Sequence, residues 1–194
     1  MTFTSDPTEI TLIVAGILDR LGVRYAIGGS LASSLHGVFR ASVDADVVAD
    51  LRLDQVEPLG RALGLAFYHD QAAMRRAIEL RRGFNVIHLD TMFKVDIFIP
   101  KDRKFDESQL QRRKAHIIAS DPDRSAFVAS AEDTVLAKLD WYRAGGEVSE
   151  QQWRDVLGII EVQSRRLDRD YLGSMAESLG VSDLLNQALA EAER

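Results

Sequence analysis

The chain has 194 residues and no cysteine. That excludes a disulfide framework and thiolate metal sites, and leaves any metal to oxygen or imidazole ligands. The four histidines, His36, His69, His88 and His116, show no paired ligand spacing such as H-x-x-x-H. Each reads as structural, and a hard divalent cation on oxygen ligands becomes the leading metal option. No apolar run approaches the roughly 20 residues of a membrane helix, and "MTFTSDPTEI" carries neither a basic n-region nor a cleavage pattern. A soluble, cytoplasmic protein without membrane contact is expected. Also missing are G-x-x-x-x-G-K-[ST] and, around Ser33 and Ser34, a G-x-S-x-G turn, so neither a P-loop nor a hydrolase elbow is indicated. "GRALG" reads as a helix end, and there is no internal repeat.

What is present suffices for a sizeable core, with 46% apolar residues, as one domain or one domain with a small helical appendage. The formal net charge of −6 disfavours indiscriminate binding to nucleic acid, but it is unevenly spread. From Arg75 to Lys114 there are 11 lysines and arginines against 6 acids, a net of +5, leaving −11 elsewhere. "RRAIELRRG" and "QRRK" read as solvated helix faces before they read as a polyanion site.

"SDPTEI" announces a first helix, with Asp6 as N-cap, Pro7 at the first helical position and Glu9 completing a capping box; Gly22 suits its end. "VRYAI" is a short strand, "GSLASSLHGV" a helix opening at the glycines, "SVDADVVADL" a strand, and a helix follows around Gln55 to Leu63. "DQAAMRRAIELRRG" is a helix between an Asp and a Gly, and "FNVIHLD" with "TMFKVDIFIP" forms an antiparallel hairpin. Residues 101–126 read as a helix with loops, "AFVAS" as one more short strand, and everything from Ser130 onward as helical. The expected division is an α/β core over 1–129 and a helical C-terminal region over 130–194.

The strand "SVDADVVADL" poses a question, because an ionised carboxylate is costly to bury without a partner. With a period of two, Val43, Ala45, Val47 and Ala49 face one way, and Asp44, Asp46, Val48 and Asp50 the other. Asp44 and Asp46 therefore share a face one pleat apart, where like charges repel unless a cation lies between them. "FKVDIFIP" repeats the pattern: Phe93, Val95, Ile97 and Ile99 form a buried face, while Lys94, Asp96 and Phe98 share the other. Three carboxylates on adjacent strands suit one or two Mg²⁺ ions about 3.5–4 Å apart. Gly28 and Gly29, between a strand and a helix, let the backbone approach a phosphate, and Ser30 adds a hydroxyl donor. Asp50 reads as a solvated strand end, Lys138 as a solvated helix lysine, and Trp141 and Tyr142 as core packing.

"GGS" followed by "RASVDADVV" resembles the nucleotidyltransferase superfamily signature over roughly residues 23 to 100. Gly29 and Ser30 match the phosphate-binding turn, Arg40 and Ser42 the lead-in, Asp44 and Asp46 the metal pair, and Asp96 the third acid. Within the superfamily the chain is most similar to AbiEii-type nucleotidyltransferases of abortive-infection and toxin–antitoxin systems, through Lys94 and Asp96 of "KVDI", Lys138 and Asp155. The resemblance implies an α/β (α+β) fold, with a mixed β-sheet flanked by helices and a helical C-terminal region closing a cleft. It also implies an NTP substrate such as ATP held with Mg²⁺ or Mn²⁺ by Gly28, Gly29, Ser30, Arg40, Lys94, Lys138 and Asp155. Asp44, Asp46 and Asp96 would be both metal ligands and catalytic residues, and the product a nucleotidylated acceptor hydroxyl plus pyrophosphate. The acceptor would be RNA such as tRNA, and the partner a cognate antitoxin protein. The alternatives are a small-molecule or protein acceptor, a nucleotide-binding pseudoenzyme or regulatory module, and an interaction protein using the acidic tail.

Overall fold

The computed structural model describes residues 6–120 and 122–192. Among these the helices are α1 (Pro7–Arg20), α2 (Gly29–His36), α3 (Val56–Leu63), α4 (Gln71–Leu80), α5 (Lys104–Arg112), α6 (Ala131–Ala144), α7 (Glu150–Gln163), α8 (Arg169–Leu179) and α9 (Ser182–Ala192). The strands are β1 (Tyr25–Ile27), β2 (Asp44–Ala49), β3 (Phe67–Tyr68), β4 (Gly83–His88), β5 (Lys94–Phe98), β6 (Lys114–Ala119) and β7 (Arg124–Val128). The chain divides into two compact units. One is the chain up to Ile27 together with Ser42–Val128, and the other is Gly28–Ala41 together with the chain from Ala129 onward.

The first unit is built on a seven-stranded sheet of order β3-β4-β5-β2-β1-β7-β6. The β2–β5 and β1–β7 pairs are parallel and the remaining pairs antiparallel, so the sheet is mixed. Its central strands alternate as their sequences require: Ala45, Val47 and Ala49 of β2 and Val95 and Ile97 of β5 are buried, and the residues between them are half-exposed. The hairpin of β4 and β5 forms as expected, with Asn85 opposite Asp96. Two strands lie outside the sequence expectation. β3 is only two residues long. β6 is an edge strand with every residue at least partly exposed, so it lacks the period-two pattern that would have revealed it.

Asp6 caps α1 by accepting the Thr8 N–H at 2.9 Å, and Gly22 takes up φ 65 where the chain turns away. Glu9 does not complete a capping box. Its carboxylate pairs with Arg124 and so ties α1 to β7. Ile10, Val14, Ile17 and Leu18 are buried, whereas Ile13 is exposed. Asp70 caps α4, accepting from the Ala72 and Ala73 N–H groups. The residue that ends α4 is Arg81, left-handed at φ 50; Gly83 opens β4 instead, where an added Cβ would lie 3.0 Å from the Phe98 ring.

The second unit packs α2, α6, α7, α8 and α9 around Leu136, Leu139, Val156, Ile159, Leu172 and Leu185. Ser130 caps α6 by accepting the Asp133 N–H at 3.1 Å. The Asp133 carboxylate, fully buried, also accepts from Tyr171 Oη at 2.5 Å on α8. The segment after α2 lies directly on α7: a Cβ on Gly37 would come within 2.9 Å of the Ile159 nitrogen, and Val38 rests on Gly158.

Candidate functional site

In the first unit, the parallel register of β2 and β5 sets Asp46 beside Asp96 and Asp44 beside Lys94. Asn85 on β4 extends the first of these rows across a third strand. Alternation makes the face common, since the neighbours on either side, Ala45, Val47, Val95 and Ile97, all point into the core. The result is an acidic strip of three carboxylates with one lysine among them. Lys94 Nζ lies 2.6 Å from Asp96 Oδ2. Its ammonium is held charged above the usual lysine range, first by the hydrogen bond to Asp96 and then by the charges of Asp96, Asp44 and Asp46. Ser42 Oγ donates to Asp44 Oδ1 at 3.0 Å and orients it from the approach to the strand.

Among the described residues no three His, Asp or Glu side chains stand close enough together to hold a metal ion unaided. The donor set fits a hard cation nonetheless. Mg²⁺ is bound through one or two carboxylates with substrate phosphates and water completing its octahedron, and a closed protein cage is not required.

In the second unit, Arg40, Lys138 and Asp155 come together although they are far apart in sequence. Lys138 Nζ lies 2.7 Å from Asp155 Oδ2, and Arg40 reaches both carboxylate oxygens, at 3.2 and 3.1 Å. Gln151 adds a fourth donor at 3.2 Å. The Asp155 and Lys138 side chains are only 7% and 10% exposed, so Lys138 is not the solvated helix lysine its sequence context suggests. Burial pushes the Asp155 carboxyl up, but the hydrogen bonds and charges of Lys138 and Arg40 outweigh it and hold the group below the usual carboxylate range. Arg40 is further fixed by Ser34, whose Oγ meets its backbone at 3.1 Å.

Gly28 is the N-cap of α2 and Gly29, its first residue, adopts φ 55, in the region that favours glycine. Ser30 is buried in the first turn. Asp50 is ion-paired to Arg24 at 2.7 Å. Tyr142 packs on Trp153 with ring centroids 5.4 Å apart, whereas Trp141, expected in the core, is 56% exposed. Asn85 and Gln151 escaped the sequence reading. Asn85 stands between the buried Phe84 and Val86, on the open face of its strand, and the β4–β5 register puts it beside Asp96. A charged cavity lined by Arg81, Lys101, Asp102, Arg103 and Glu107 lies beyond the other ends of β2 and β5, next to Asp50 and Pro100; Arg81 pairs with Asp102 within it, while Arg103 pairs with Asp106, and Asp50 and Glu107 pair with Arg24.

A seven-stranded mixed sheet flanked by helices is consistent with a nucleotidyltransferase-like fold. The antibiotic-resistance factor ANT(2'')-Ia, known from a solution structure, is similar with a TM-score of 0.54 and 14% identity, over 97% of this chain and 96% of its own. An antigenic nucleotidyltransferase-like protein from Paracoccidioides brasiliensis is similar with a TM-score of 0.49 and 17% identity, over 96% of this chain and 93% of its own. No protein-family model matches the chain, and no curated protein sequence does. At 14% identity the likeness to ANT(2'')-Ia speaks for the fold alone.

Proposed function

We propose that the protein is a nucleotidyltransferase that moves a nucleoside monophosphate from an NTP to an acceptor hydroxyl and releases pyrophosphate. The observation that carries this reading is the register of β2 and β5, which sets Asp46 beside Asp96 with Asp44 one pleat away on the same face. Asp44, Asp46 and Asp96 are the residues that would hold Mg²⁺ or Mn²⁺. Such a cation, when bound, neutralises charge on the triphosphate and on the leaving pyrophosphate.

The chain's own residues divide the remaining work. Asp96, once released from Lys94, accepts the proton of the attacking hydroxyl as its oxygen bonds to the α-phosphorus. The bond to the bridging oxygen breaks, and its electron pair leaves with pyrophosphate. Gly28, Gly29 and Ser30 offer backbone N–H groups and a hydroxyl to phosphate at the head of α2. The motif resemblance assigns positive charge toward the nucleotide to Lys94, Arg40 and Lys138; of these, Arg40 and Lys138 are held by Asp155.

For the acceptor, the AbiEii-type motifs support RNA such as tRNA, and with it a cognate antitoxin as partner. The reading of residues 130–194 as a helical region serving the site rests on the same motifs. Incubation with α-labelled NTPs, Mn²⁺ or Mg²⁺ and total RNA is the direct test. Label transfer that disappears in Asp96→Asn and in chelator is the expected result; absence of transfer to RNA, protein and small molecules alike would overturn the proposal.

A further inference from the structure

The acid strip contains its own cation. Asp44, Asp46 and Asp96 lie on one face of a parallel strand pair, and the fourth member of that face in the same two rows is Lys94, the register partner of Asp44. Its Nζ is 2.6 Å from Asp96 Oδ2, and its side chain is 39% exposed, so it has room to leave. From the geometry we infer that Lys94 is a tethered counter-ion, which stands in for a divalent cation in the metal-free protein, is displaced when metal binds, and so couples metal binding to nucleotide binding. The inference rests on the reading of the three acids as metal ligands.

The charges explain the coupling. With Lys94 in place the four side chains sum to about −2, a state with much of its repulsion already relieved. A lone divalent cation must break the Lys94–Asp96 ion pair, and the freed ammonium then has no partner on the strip and is repelled by the newcomer. A cation arriving with a triphosphate changes the outcome, because phosphate oxygens give the displaced ammonium a new partner. Metal alone is thus penalised, metal with nucleotide is not, and by linkage each ligand strengthens the other by the same factor. Lys94 is a positioning residue in this scheme: it controls the order in which the strip is loaded.

The test is calorimetric titration of Mn²⁺ into wild type, Lys94→Met and Lys94→Gln, alone and with a saturating α,β-methylene NTP. In the variants Mn²⁺ alone should bind on the order of tenfold more tightly than in wild type, and the enhancement by nucleotide should shrink by a similar factor. Melting of the metal-free variants should fall and be restored by Mn²⁺ to a greater extent than in wild type. Acetylation of wild-type Lys94, followed by mass spectrometry, supplies a measurement that needs no variant: Mn²⁺ alone should raise its labelling, and Mn²⁺ with the analogue should lower it again. Equal Mn²⁺ affinity in wild type and variants, or labelling that ignores Mn²⁺, overturns the inference while leaving the acids as metal ligands. Failure of every form to bind Mn²⁺, with or without nucleotide, overturns both.

Discussion

Asp155 and Asp46 are both carboxylates near cations, but they sit in different surroundings. Asp155 is buried against Lys138 and Arg40. Removing it as Asp155→Ala leaves a buried ammonium without a partner, so a loss of about 3–5 kcal/mol is expected on chemical denaturation at neutral pH. The sign with pH follows from the lowered native pKa. The contribution is complete above the ordinary carboxylate range and is lost as pH falls through the native value, so wild type and variant should converge in strong acid. The double change Lys138→Met with Asp155→Leu should recover much of the stability and none of the transfer, which separates structural from functional loss. Asp46 lies among like charges on the half-exposed face of β2. Asp46→Asn should cut label transfer by at least about a hundredfold. The acids on β2 and β5 were legible in the sequence because alternation alone assigns their face. Arg40, Lys138 and Asp155 were named through the motif resemblance, but their mutual contact was not legible, since Lys138 sits in an ordinary amphipathic helix and its burial is decided by α7 and the segment after α2.

At the scale of elements, the segment after α2 is held more firmly than its composition suggests. Gly37 lies against the α7 backbone, Arg40 is bonded to Asp155, and Gln163 on α7 donates to the His36 carbonyl at 2.7 Å. Gly37→Ala must push the segment off Ile159, an overpacking change that typically costs about 1–3 kcal/mol. A melting point lower by several degrees, with Arg40-dependent activity reduced as well, is the expected result in calorimetry and label transfer. Helix starts were legible where a cap was unambiguous, as at Asp6, Asp70 and Ser130. Helix ends and sheet edges were less so. Arg81 adopts the left-handed conformation that a glycine would take more readily, and β6, exposed on the outer edge, has no buried face to impose a pattern.

For the molecule as a whole, the excess of positive charge between Arg75 and Lys114 is the feature that bears on an RNA acceptor. Part of it is structural. The Arg113 guanidinium lies 4.7 Å from the Phe127 ring centroid and donates to the Leu110 carbonyl, so reversing its charge would damage the packing of β7. Arg75, Arg76 and Lys114 are exposed, and their joint reversal to Glu is the cleaner probe. If RNA is the acceptor, this variant should bind it more weakly and with a shallower dependence on salt, the slope falling by roughly one for each phosphate that the protein no longer neutralises. Its affinity for NTP with Mn²⁺ should not change. Filter binding across a salt series, beside calorimetry, decides the matter, and equal slopes would remove RNA binding from this stretch.

The two compact units are interleaved along the chain. Translation delivers β1, then a segment belonging to the second unit, then the rest of the first unit, and only afterwards the helices that α2 packs upon. A ribosome that has released the chain as far as β5 can offer β2 two neighbours, but β1 waits for β7 to cover its other side. During that interval a short, wholly buried strand has an open edge, and α2 has no helical partner. The nascent chain therefore carries sticky surface through most of its synthesis; a cut after Val128 keeps the first unit whole but leaves α2 without the helices it packs upon, and no single cut yields the second unit. Expression of the piece ending at Val128 should give an aggregating product or one that exchanges amide hydrogens rapidly throughout α2, whereas co-expression with the missing helices should rescue both.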